Sequence, residues 1–100
     1  MIKSWGQIIA DASALRHALH RIPELNGLET QTSRQIRLAL SAADISWRKC
    51  AETGTVAVLA RNAPGRHIAL RADIDGLSIR EESGVAWASE IPGCMHACGH

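Results

Sequence analysis

Residues 73–100, DIDGLSIREESGVAWASEIPGCMHACGH, set the tightest limit on what this chain can fold into. They carry neither the 3.6-residue period of a helix nor the alternation of a strand. Gly76, Gly84, Gly93 and Pro92 are spread among two Asp and three Glu. A loop this long inside a compact domain is uncommon and usually functional. It begins with Asp73 and Asp75 directly after an apolar run. It ends on MHACGH, where two histidines and a cysteine fall within five positions. The upstream chain is therefore read as scaffold for this segment.

That scaffold has regular patterning. Ile8, Ala12, Leu15, Leu19 and Ile22 predict an amphipathic helix over 7–22 with one buried stripe. Ser4 is a candidate cap, and Pro23 ends the helix. His17 and His20, near its end, are expected to be solvated or bonded to the last carbonyls. Asn26-Gly27 predicts a turn, and a second helix follows over 29–43 with Ile36, Ala39, Leu40 and Ala43 on one face. Ile45 to Cys50 reads as an exposed or edge strand, followed by a turn at 52–54. Thr55 to Ala60 is a near-continuous apolar run that suits a central strand buried on both faces. Residues 62–65 turn the chain, and His67 to Ala72 reads as another buried strand. A link this short makes the last two strands antiparallel neighbours. The fold class is α/β: two helices, then strands, then a long loop, as one small domain or part of a larger one.

Composition narrows the function classes. The net charge is +1, and no basic run is interleaved with aromatics, since the chain has three Trp and no Tyr or Phe. Neither nucleic acid nor an anionic membrane is an expected partner. No window approaches the roughly 18–20 apolar residues that span a bilayer. The start lacks the apolar core of a signal peptide, so the expected location is cytoplasmic. Three cysteines exclude a complete set of internal disulfides and are read as thiols or ligands.

Cys98 and His100 stand two residues apart, so an extended segment points both to one side. They could bind one metal ion or two adjacent ones, and Gly99 lets the backbone turn between them. Thiolate with imidazole suits zinc or cobalt better than magnesium or calcium. The plain alternative is a loop Cys and His without ligand role. A self-contained site would draw on His96 and Cys94, making the chain a small non-catalytic metal-binding module, but four donors within seven consecutive residues are sterically awkward. The C-x3-C of Cys94 and Cys98 is not the C-x-x-C of thiol redox proteins. Asp73 and Asp75 also share a side, and either orient a metal-bound histidine or form a turn.

Taken together, four ordered segments resemble one family. These are Leu15-Arg-His-Ala-Leu-His-Arg-Ile-Pro-Glu-Leu25 with Glu29 and Thr32, then Gly54-Thr-Val-Ala57, then Ile68-Ala-Leu-Arg-Ala-Asp-Ile-Asp-Gly-Leu-Ser-Ile79 with Glu81-Glu82, and finally Ser89-Glu-Ile-Pro-Gly-Cys-Met-His-Ala-Cys-Gly-His100. The family is that of the N-acyl-amino-acid amidohydrolases, the aminoacylase- and carboxypeptidase-type metallopeptidases that include hippurate hydrolases and indole-acetyl-amino-acid hydrolases.

The resemblance implies a di-metal hydrolase whose aminopeptidase-like α/β catalytic domain carries two divalent ions (zinc, manganese or cobalt). A smaller inserted domain would mediate dimerisation. Residues 1–100 would be the N-terminal part of the catalytic domain, without that insertion. The implied substrates are N-acyl amino acids or small peptides, cleaved at the amide by metal-activated water. Cys98 and His100 map to metal ligands. Two further histidines, a ligand glutamate and the general-base glutamate are expected beyond His100, so the 100-residue chain is expected to bind metal weakly and to be inactive alone. The family commonly has D-x-D-A-L-P where this chain has Asp73-Ile74-Asp75-Gly76-Leu77-Ser78, and a basic or small residue where it has Cys94. Asp75 is expected to orient a ligand from behind. His20 belongs to the signature, with no role beyond packing at the helix end.

Overall fold

The computed structural model describes residues 2–100. Helix α1 (Trp5–Arg21) starts two residues before the expected position, directly after the candidate cap Ser4. The Ser4 hydroxyl accepts from the Gln7 N–H (3.3 Å) and the Gln7 side chain accepts from the Ser4 N–H (2.8 Å), so two orphan donors of the first turn are satisfied reciprocally. The helix stops before Pro23, and Ile22 N–H closes it onto the Leu19 carbonyl. The expected buried stripe is not buried. No residue of α1 is buried, Ile8 and Ala12 face solvent, and only toward the C-terminal end do Leu15 and Leu19 become half-buried.

Helix α2 (Thr30–Ala42) is held at its start by Glu24. This carboxylate accepts from the N–H groups of Gln31 (3.1 Å) and Thr32 (2.7 Å) and from the Thr32 hydroxyl (2.7 Å). A negative charge here also complements the helix dipole. What α2 buries is polar. Thr32 and Ser33 are enclosed, while Leu38 and Ala39 are exposed.

Strands β1 (Trp47–Cys50) and β2 (Gly54–Ala57) form an antiparallel hairpin with Trp47 opposite Ala57 and Cys50 opposite Gly54. Its turn places Ala51 and Glu52 in the left-handed region, at φ 51° and 66°. Gly54 is obligatory, because a Cβ there would lie 2.3 Å from the Cys50 carbonyl oxygen. Arg37 of α2 clamps the hairpin. It donates to the Thr55 hydroxyl (2.9 Å) and the Gly54 carbonyl (3.0 Å), and its guanidinium stands 5.0 Å from the Trp47 ring centre.

The two central strands are corrected. The first shrinks to β2, and its partner is β1 rather than residues 67–72. The run 67–72 is not in a strand, and Ile68 and Leu70 are 87% and 96% exposed. An apolar strand of this kind needs cover on both faces and a paired edge. No other described element offers either.

The same shortage shows in the whole surface. The chain exposes 8094 Å². A monomeric globular protein of 10.8 kDa exposes roughly 5,500 Å². The radius of gyration is 15.1 Å, against about 13 Å for a compact domain of this length.

Candidate metal centre

The long C-terminal stretch is unpatterned in sequence but not loosely attached. Its base is a short ladder in which Leu77 N–H donates to the Met95 carbonyl (2.8 Å) and Met95 N–H to the Leu77 carbonyl (3.0 Å). Beside it, Gly76 N–H donates to the Glu24 carbonyl, and Cys94 packs under Pro23 with its thiol toward the Pro23 carbonyl at 3.7 Å. Pro23, Gly76 and Cys94 are all buried. They form a small seal between the turn after α1 and both ends of the loop.

The excursion between the ladder strands is fastened to the last turns of α1. Glu81 is the hub, with 5% of its side chain exposed. One carboxylate oxygen accepts from the Ser89 N–H (2.8 Å) and meets His20 Nε2 (2.9 Å), and the other accepts from the Ser83 hydroxyl. The Ser83 hydroxyl above all, then the Ser89 N–H, hold this carboxyl below its usual range against the cost of burial, with His20 adding to the effect. The ionised carboxylate only accepts, so the proton of the His20–Glu81 bond sits on His20 Nε2. Glu90 N–H donates to the Arg21 carbonyl at 2.8 Å.

His17, expected at the solvent or on the helix carbonyls, instead stacks flat on Trp87, ring centres 3.9 Å apart and 9° from parallel. Its pKa is lowered by loss of solvent and by the charges of Arg16 and Arg21.

His96 is the first metal-type side chain past the ladder. Its ring lies 6.1 Å from that of His20, and Nε2 is buried with no hydrogen-bond partner among the described residues. Burial and then the neighbouring His20 push its pKa down, while the backbone and charge of Asp75 pull the other way. Asp75 thus stands beside His96. Cys98 and His100 follow on an exposed segment outside regular secondary structure, the His100 N–H lying 3.5 Å from Cys98 Sγ. Asp73 is drawn outward to Arg71, 3.0 Å away.

Several residues singled out in the sequence therefore converge, and others do not. Asp75, His96 and His20 share one corner, with Cys98 and His100 projecting from it. Cys94 faces the Pro23 carbonyl in the buried seal. Among the described residues no three His, Cys, Asp or Glu side chains are grouped to hold a metal ion. The donors present, an accessible cysteine and histidine, suit a borderline divalent ion and make half of a tetrahedral set. Glu81 was not anticipated as a partner of His20. The two lie 61 residues apart, and no local spacing links them.

Comparison with known proteins gives the same direction. No protein-family model matches the chain. It is 45% identical over 87 residues to an N-acetyl-L-cysteine deacetylase of Bacillus subtilis, which covers 86% of this chain and 21% of that protein. It is 39% identical over 95 residues to an N-acyl-L-amino acid amidohydrolase of Geobacillus stearothermophilus, covering 94% and 26%. A solved Bacillus subtilis structure, described as a dinuclear metal-binding peptidase of the M20 family, superimposes with a TM-score of 0.82 at 38% identity, over 91% of this chain and 26% of that one. The chain spans about a quarter of the length of the curated relatives it matches. Across most of its own length, it is similar to N-acyl-amino-acid amidohydrolases and to a dinuclear-metal peptidase of the M20 family.

Proposed function

We propose that the chain is the metal-presenting part of an amidohydrolase that cleaves N-acyl amino acids, with Cys98 and His100 as ligands of a di-metal centre. The observation that carries this is the pair itself. Its two donors are exposed on one short segment, within a chain that resembles a deacetylase over 86% of its length. When bound, divalent metal supplies polarisation of an amide carbonyl and activation of water. The chain's own residues do the holding. The Cys98 thiolate and the His100 imidazole provide soft and borderline donors, and Asp75 and His96 back the segment from the ladder side. The ions are zinc, manganese or cobalt, the substrate is a small N-acyl amino acid or peptide, the protein works in the cytoplasm, and the whole enzyme is a homodimer.

Cobalt(II) or zinc titration of the purified chain tests this. Binding is weak, is lost in Cys98→Ser and His100→Ala, and persists in Cys94→Ser. Equal losses in Cys94→Ser and Cys98→Ser would instead support a self-contained metal module. The chain alone does not hydrolyse N-acetyl amino acids, because the described residues group no third donor. Chelator-sensitive turnover would overturn that part of the proposal.

A further inference from the structure

We infer that His20 and Glu81 are positioning residues for the metal-presenting segment, an inference that rests on the metal reading of Cys98 and His100. Glu81 lies in the excursion between Leu77 and Met95. Its carboxylate gathers the Ser83 hydroxyl, the Ser89 N–H and the His20 ring, so it ties both limbs of that excursion to the end of α1. Both of its oxygens are engaged and its side chain is almost wholly enclosed, which leaves it no free face to act as a metal ligand itself.

His20 transmits the constraint. Its Nε2–H is fixed by Glu81, which sets the plane of a ring whose side chain is only 17% exposed. That ring forms a wall beside His96, at 6.1 Å between centres. His96 is one residue past the ladder at Met95 and two before Cys98. A His96 side chain confined by His20 limits how the backbone at 96 can turn, and through it where the chain carries both donors.

The base of the loop does not depend on this pair. The Leu77–Met95 ladder and the Cys94 seal against Pro23 hold it independently. Removing the pair thus frees the exit direction while the loop stays attached. Groups that hydrogen-bond a ligand directly change metal affinity by roughly ten- to a hundredfold, and the lower end of that range sets the scale for a pair that acts through His96 and the backbone.

The experiment is cobalt(II) titration of the whole chain, followed by the thiolate-to-cobalt charge-transfer band in the near ultraviolet. Wild type is compared with Glu81→Gln, His20→Leu, His20→Gln and Cys98→Ser, and far-UV circular dichroism monitors the fold. In Glu81→Gln and His20→Leu, affinity falls about tenfold or more and the band weakens or shifts, with the helical signal retained. His20→Gln still presents a donor to Glu81 and stays close to wild type. This rescue separates positioning from bulk packing, and it decides the matter if Glu81→Gln fails to fold. An unchanged band and affinity in His20→Leu, with the wild-type band abolished by Cys98→Ser, would overturn the positioning role alone. A wild-type band that is missing, or that survives Cys98→Ser, would overturn the metal reading and the positioning role with it.

Discussion

Gly76 sits so close to Pro23 that a Cβ on the glycine would stand 2.8 Å from the proline Cβ and 3.2 Å from Cys94 Sγ. This contact joins the turn after α1 to the start of the long loop. Pro23 is a rigid ring and cannot swing aside. Gly76→Ala should destabilise the chain by about 1–3 kcal/mol, the usual cost of forcing a methyl into a packed site. Urea unfolding followed by circular dichroism reads it. A midpoint equal to wild type would show that the seal has slack.

The Glu29 carboxyl makes a second test. It is 4% exposed and accepts from the Thr53 hydroxyl (2.6 Å) and the Gly27 N–H (2.9 Å). Thr53→Val keeps the shape and removes one donor from a buried carboxylate. The expected loss is about 1–3 kcal/mol, because an unpaired buried acceptor costs its full desolvation. Thr53→Ser, which keeps the hydroxyl, should recover most of it.

Acidity should act in two stages on the metal-free chain. His17 and His96 are both depressed from 6.5, so their contribution is present above pH 6.5 and is lost as pH falls through their folded values. Burial opposes ionisation of Glu24 and Glu29, but hydrogen bonds from Thr32 and Thr53 respectively outweigh it. Glu81 is likewise held low, chiefly by Ser83. Carboxylates depressed below 4.5 stabilise above pH 4.5 and cease to do so below it. Urea midpoints from about pH 8 down to about pH 3.5 should show a plateau, a shallow decline below 6.5 and a steeper one below 4.5. A midpoint that rose on acidification from pH 7 would contradict these signs.

Thiol chemistry discriminates the three free cysteines. Cys50 and Cys98 are exposed and Cys94 is buried. A thiol reagent should label two of them quickly in the native chain and Cys94 only as the chain opens. Zinc should then slow labelling at Cys98 and leave Cys50 unchanged. Prompt labelling of all three would mean that the Pro23–Cys94 seal does not persist in solution.

The helices were legible because their signals are local. Ser4 with Gln7, Pro23, and the Asn26-Gly27 turn each act within a few residues, and the helix ends fall within two residues of expectation. The run 67–72 misled for the opposite reason. Its apolar composition reports that the run wants cover, but says nothing about whether cover is present. The same holds for Ile8 and Ala12 on α1. At the site, the Cys98–His100 spacing marked a candidate pair of donors, and their assignment as ligands rests on the resemblance. The Glu81–His20 bond and the His17–Trp87 stack were not legible, since they depend on how the loop folds back over 61 and 70 residues, the latter being the difference of 87 and 17.

The bare run at 67–72 has a further consequence for anyone handling the chain at this length. An unpaired apolar run with Ile68 and Leu70 almost fully exposed is a template for pairing with its own kind. Arg66 before the run and Arg71 within it act as gatekeepers against a stacked copy, Arg66 the more strongly because Asp73 lies 3.0 Å from Arg71 and offsets its charge. Solubility should therefore depend on ionic strength. Salt screens the arginines and leaves the apolar side chains sticky, so light scattering should grow as salt is added. Arg66→Ala should bring that growth on at lower salt.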